Sequence, residues 1–404
     1  MTKNIITLLM LLCASSLLAQ EQPLLDKLDE ATGQLLSETN RNKYSYNYPK
    51  WASTAKTAIS ETAETGLKTY VFRHLKHAEI DNTEILYFIK HFSNHQTFNW
   101  IAYDNRNKRT FVFEDVINIG ETQKVVLEKL SVRDLIGFTL RDETSGATIF
   151  TVPDIETRLN FEILVDIKYS DEEKSLAQKK VKVALADFFY TDEAIEQEAN
   201  GFPRMQVVQN EAKTVRVVTY MTSYADFTSK CHGFVLHKSS KDGQIKCEYL
   251  DDCTNDIKSV EYAKLKADKW YGAVYSAIIE IQIGKQLYYT LLGFKSNDGL
   301  IKTRVIDILS FKKDKSVFGA PYFLHEKATY LRRIFQYSSE ANMLLRYDAA
   351  QKQIVMDHLS PSNSMFAGEY RFYGPDFSYD AYEITKDGWT FREDIDYKDI
   401  EKKK

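Results

Sequence analysis

The sequence predicts an α+β protein: a helical N-terminal portion followed by a mainly antiparallel, β-rich C-terminal domain of sandwich or barrel-like build. Three observations lead there. Leu24, Leu25, Leu28, Ala31, Leu35 and Leu36 recur at steps of three and four, the spacing of one helix face. The last half of the chain strings together short runs rich in β-branched and aromatic residues: TVRVVTYMTSY, HGFVLHK, WYGAVYSAIIEIQ, LYYTLLGF, IKTRVIDILSF, LRRIFQYSS, NMLLRY, QIVMDHL, EYRFYG and GWTF. Turn formers sit between them at Ile283-Gly284-Lys285, Ser296-Asn297-Asp298-Gly299 and Asp348-Ala349-Ala350. Strands this dense, without intervening helical periods, argue for antiparallel layers rather than βαβ units.

Met1 to Ala19 has the order of a cleavable signal peptide: Lys3, an apolar run from Ile5 to Cys13, then small residues. The run is too short to span a hydrocarbon core of roughly 30 Å, and polar EQPLLDKLDE follows it. Cleavage after Ala19 leaves bulky Leu17 two positions earlier, whereas cleavage after Ser16 places small residues at both positions. Leu12 before Cys13 speaks against lipidation. The mature chain of about 385 residues exceeds what one core usually organises. It is read as an α+β region over 20–202, a β-rich domain over 203–396 and a charged tail over 397–404, with Pro153 and Gly201-Phe202-Pro203 as breaks.

Within the first region, Tyr44 to Pro49 is expected to interrupt the helices and Trp51 to Glu64 to form a second one ending at Gly66. TYVFRHLK, TEILYFIKHF and TFNWIAYDNRNKRTFVFEDV read as strands, with a hairpin turn at Asp104-Asn105-Arg106-Asn107. Gln123–Leu130 and Asp171–Lys180 read as helices, with FEILVDIKY as a strand between them. Net charge is −4 with the cations scattered, which excludes a nucleic-acid-binding stripe. After cleavage Cys231, Cys247 and Cys253 remain. One disulfide is expected, either Cys231–Cys247 across the turn at Ser239–Gly243 or Cys247–Cys253, with one thiol left over.

The strings WYGAVYSAI, YYTLLGF, VFGAPYF, IFQYS, LLRYD, IVMDHLSP and YRFYGPDFSYDAY, in that order between Trp270 and Tyr382, resemble an uncharacterised exported protein family of Bacteroidota-type bacteria. The resemblance covers the C-terminal half. It implies export to the periplasm or beyond, and it assigns no activity, cofactor or site.

The candidate chemistry lies in the same half. Asp357-His358 ends an apolar strand and is followed by Ser360 and Ser362, the residue types of a nucleophile, base and orienter. Strand alternation places Ile354, Met356 and His358 on one face and Val355 and Asp357 on the other, so Asp357 does not easily orient His358. Asp376, Ser378, Asp380 and Asp387 have the spacing of a calcium loop, without its glycine. His74, His77, His91 and His95 superficially have zinc-ligand spacing. Aromatics, 25 Tyr and 23 Phe, would fill sheet faces or form contact platforms. The expectation from sequence is an exported, non-catalytic binding module. It would have no cofactor and no transmembrane segment after signal cleavage, and would engage an envelope protein or glycan. The alternative is a secreted hydrolase using His358, Asp376 and Asp380.

Overall fold

The computed structural model describes residues 22–397 except 63–66, 68–69, 94, 118–123, 133–134, 192, 197–201, 203 and 297. The expected signal peptide with Cys13, the end of the second expected helix, most of the Gly201-Phe202-Pro203 break and most of the charged tail lie outside the described residues. The chain divides into two compact units at Leu159/Asn160. Among the described residues it is β-rich, 47% strand against 23% helix, and the helices are not confined to its start. Among the described residues no helix is long and apolar enough to cross a membrane.

In the first unit, α1 (residues 22–37) and α2 (Arg41–Thr62) pack on an antiparallel sheet of β1 (Lys76–Ile80), β2 (Thr83–His91), β3 (Gln96–Asp104) and β4 (Arg109–Ile117), in that order. Leu25, Leu28, Leu35, Trp51, Ala55 and Ile59 from the helices bury against Leu86, Phe88, Ile101 and Tyr103. Trp51 Nε1 donates to Thr32 Oγ1 at 2.9 Å. Helix α2 starts where the Asn40 carboxamide accepts the amides of Asn42 and Lys43, and it runs through Pro49. The expected break at Tyr44–Pro49 is therefore not formed. The TYVFRHLK strand is also corrected: residues 70–75 are irregular, and Asp29 on α1 takes the amides of Arg73 and His74 that a ladder would have used.

The segment expected to be helical at Gln123–Leu130 is instead β5 (Val125–Val132), paired with β6 (Leu135–Asp142) and β7 (Thr148–Val152). Its apolar residues satisfy either period over so short a run, and pairing with β6 decides. FEILVDIKY begins within α3 (Ile155–Val165), not a strand. Asp154 accepts both the amide and the hydroxyl of Thr157, a helix-starting bond.

The second unit is a stack of layers. Helix α4 (Asp171–Phe189) opens with a capping box between Ser170 and Glu173. It covers a sheet of β8 (Gln206–Gln209), β9 (Val215–Ser223), β10 (Ser229–Lys238) and β11 (Ile245–Asp251); Phe189 meets Phe234, and Gln178 bonds Tyr249. The middle sheet holds β12 (Leu265–Lys266), β13 (Val274–Ile283), β14 (Gln286–Ser296), β15 (Ile301–Lys312), β16 (Lys315–Phe318) and β19 (Arg333–Ser338). The last sheet holds β17 (Phe323–Leu324), β18 (Thr329–Tyr330), β20 (Leu345–Asp348), β21 (Gln353–Pro361), β22 (Tyr373–Thr385) and β23 (Gly388–Arg392), antiparallel but for β17 beside β23.

Alternation along the middle sheet separates two cores. Leu291, Val305 and Leu309 join Val217, Cys231, Val235 and Trp270 on one side. Leu292, Ile306 and Ile308 join Ile354, Met356, Tyr382 and Trp389 on the other.

The cysteines do not bridge. Cys231 lies opposite Met221 and Cys247 opposite Leu236, so one points into the first core and the other to the opposite face of the sheet. Both are free thiols, as is Cys253, and burial pushes the Cys231 and Cys247 thiols up to about 12. Between layers, Arg332 Nε donates to Asp307 Oδ2 at 2.9 Å with both side chains inaccessible, while Nη1 reaches the carbonyls of Val260 and Ala263. Arg332→Met strands a buried carboxylate and is expected to cost about 3–5 kcal/mol in urea unfolding; a loss of about 1 kcal/mol or less would contradict the pair's structural role.

Candidate functional site

Strands β21 and β22 pair in register from Gln353↔Glu383 to Asp357↔Tyr379, and the register then shifts to Leu359↔Pro375. Opposite His358 the partner strand therefore carries extra residues, Asp376, Phe377 and Ser378, as a bulge. A bulge bends its strand and re-aims side chains. Here Asp376 Oδ1 accepts the amide and hydroxyl of Ser378, Phe377 takes a positive φ of 74°, and its ring is 95% exposed. A left-handed conformation is costly for so bulky a residue.

The bulge brings the three sequence candidates together. His358 Nδ1 lies 2.8 Å from Asp380 Oδ2, and Nε2 lies 4.0 Å from Asp376 Oδ2. Alternation explains the face: Met356 pairs with Asp380, so His358 and Asp380 are diagonal neighbours on one side of the sheet. Asp380 is buried, and its second oxygen accepts the Asp394 amide at 3.2 Å. Asp357 points elsewhere, accepting the Leu344 amide at 2.7 Å, as the alternation predicts.

The electrostatics favour a held cation. Burial disfavours the imidazolium, but the hydrogen bond and charge of Asp380, then the charges of Asp376 and Glu393, outweigh it, and His358 titrates above its ordinary value. For Asp376 burial is likewise opposed and overcome, by the Ser378 hydroxyl and amide, the His358 charge and the Ser360 hydroxyl, which hold it below the usual carboxylate range. The nearby hydroxyls thus bond the carboxylate. Among the described residues no hydroxyl bonds either nitrogen of His358, so a serine–histidine–aspartate relay is not assembled.

The other candidates disperse. Asp376 and Ser378 lie in the β22 bulge, Asp380 continues the strand, and Asp387 sits in the turn beyond its far end, so the calcium-loop spacing does not fold into a loop. His74 packs against Gly33 of α1, His77 bonds Glu84 at 2.7 Å, His91 ends β2 exposed, and His95 stacks on Phe92. Among the described residues no group of three or more His, Cys, Asp or Glu is placed to hold a metal ion. Among the tyrosines, Tyr289 is buried while the adjacent Tyr288 bonds the Tyr322 hydroxyl, and Tyr370 packs on Tyr373.

Sequence reasoning missed the rim around this cluster. The β21–β22 connection carries Met365, 76% exposed, and Tyr370, 42% exposed, beside a stacked Phe366–Phe372 pair. Only the density of aromatics in MFAGEYRFYGPDF signalled it.

No protein-family model matches the chain, and no curated protein is similar to it. Among solved structures, Drosophila Semaphorin 2a is similar at 9% identity and a TM-score of 0.22 over 70% of this chain, which spans 42% of that one. A likeness that low carries no argument about fold or function.

The upward shift of His358 has a pH signature. Its raised value means that the His358 contribution to stability is complete below the unfolded value of about 6.5 and is lost as pH rises through the folded one. His358→Gln is expected to destabilise by at most about 1 kcal/mol near pH 5.5, since the pair is partly solvated, and by less near pH 9. Equal deficits in urea melts at both values would contradict the assignment.

Proposed function

We propose that the chain is an exported, non-catalytic binding module of the bacterial envelope or extracellular space, and that it engages a protein partner through the β21–β22 rim. The observation that carries this reading is Phe377, a phenyl ring turned fully into solvent by a bulge whose backbone conformation is costly for it. Strain kept at an exposed apolar residue is not repaid by packing, so its benefit lies in contact. Phenylalanine, methionine and tyrosine are the types enriched at protein interfaces, which favours a protein over a glycan. His358, Asp376 and Asp380 add a charged anchor beside them. Export rests on the leader and on the resemblance of the C-terminal strings.

The hydrolase alternative draws on the same three residues. It needs a substrate or water on His358 Nε2, the side that Asp376 faces. It would require His358→Ala and Asp376→Asn each to abolish a measured turnover without unfolding the protein.

Replacing Phe377 by glycine separates stability from recognition. Phe377→Gly is expected to raise stability by up to about 1 kcal/mol, because glycine tolerates the positive φ, and to abolish the adduct formed by a photo-crosslinking residue at position 365 in envelope fractions. Retention on envelope glycans with no protein adduct would move the partner class to sugars. An unchanged adduct in Phe377→Gly, or neither adduct nor glycan retention in the wild type, would overturn the reading.

A further inference from the structure

The first unit holds a half-open pocket of about 250 Å³ between the first turns of α2 and the β2–β3 and β4 ends of the sheet, with Arg41 and Glu114 exposed at its mouth. Arg41, Tyr44 and Tyr48 recur at helical steps of three and four and so share the α2 face that lines it; Phe92, His95 and Glu114 line it from the sheet side. The Tyr44 hydroxyl lies 3.0 Å from Glu114 Oε1 and 3.1 Å from Asn99 Oδ1, and fixes the carboxylate in the wall. Among the described residues the Arg41 guanidinium has no ion-pair or hydrogen-bond partner, and the Tyr48 hydroxyl has none either. The rings of Tyr44, Tyr48 and Phe92 are packed together: Tyr44 meets Phe92 edge-on at 5.0 Å and Tyr48 at 5.9 Å.

A cavity with one unpaired cation, one positioned carboxylate and aromatic walls selects its ligand by charge and size. A simple anion meets Glu114, and a simple cation meets Arg41. A molecule carrying both charges satisfies the two, and its ammonium gains from the ring faces. The volume is below the usual range for drug-sized ligands, about 300–1,000 Å³. From this geometry we infer that the cavity binds a small zwitterion, a free amino acid with an apolar side chain. Arg41 takes the carboxylate, Glu114 takes the ammonium, and Phe92 with the tyrosine rings takes the side chain. The site uses none of the residues proposed for partner contact on the β21–β22 rim.

Calorimetric titration of the mature chain with L-leucine, L-methionine and L-phenylalanine, each alongside its amide and its N-acetyl derivative, tests this. At least one free amino acid should bind saturably, with both derivatives about tenfold weaker or more, the loss of one charge-assisted contact. Arg41→Gln should weaken the free acid and erase its advantage over the amide. Glu114→Gln, which still offers Tyr44 an acceptor, should erase the advantage over the N-acetyl form. Far-UV circular dichroism and melting temperature report the fold of each variant, and the wild-type derivative series decides the matter should a variant unfold. No binding by any of the three at millimolar concentration, equal binding of acids and derivatives, or wild-type selectivity in both folded variants would overturn the proposal.

Discussion

The second unit depends on burying a charge pair between two β layers. Asp307 lies on β15 between Ile306 and Ile308, which face the other core, so its carboxylate is turned to the side of Val305 and Leu309. Arg332 meets it there through Nε and carries the carbonyls of Val260 and Ala263 on its Nη1. One side chain therefore ties β15, the turn before β12 and the entry to β19 together. A buried ion pair adds little net stability over a well-packed apolar pair, but leaving either partner alone is costly. The arrangement penalises slipped registers more than it rewards the native one. The first unit repeats the device with Arg158, which bonds Asp115 at 2.7 Å while lying over the Trp100 and Phe113 rings.

His358 is the same device moved to the edge. In the interior Lys295 bonds Asp252 and the Thr254 hydroxyl and is enclosed. At the end of β21, His358 sits between Asp380 and Asp376 with about a third of its side chain in water. Enclosure makes the first pairs structural. Partial exposure leaves the last one open to water, and the same bulge that aims Asp376 at it turns Phe377 outward. A single register shift thus produces both the polar and the apolar halves of the rim.

Much of this was legible in the sequence where one pattern had one structural solution. The leucine spacing of α1, the Asp104–Asn107 hairpin and the strand density of the second half needed no tertiary context. The His358 face followed from alternation alone, and the structure adds that Asp376 and Asp380 are its neighbours. Readings failed where partners outside the window decided. Asp29 captures the amides of residues 73 and 74 and denies them to a strand. The FEILV run is apolar on every side, so period could not separate a buried helix from a strand, and Asp154 settles it. Cys231 and Cys247 flank a turn, but a one-residue difference in register sends them to opposite faces. The bulge itself has no sequence signature beyond Gly374-Pro375 and the tolerance of Asp376 for an Asx bond.

The central claim is that His358 is a cation held by two carboxylates and not a base waiting for a substrate proton. A nitrogen-15 NMR titration of the His358 ring tests it most directly. The account predicts that both nitrogens remain protonated to a pH above the ordinary histidine value of about 6.5, with the transition moving down in Asp380→Asn. A neutral ring at or below about pH 6, carrying one proton and one free lone pair, would contradict it and return the cluster to acid–base chemistry.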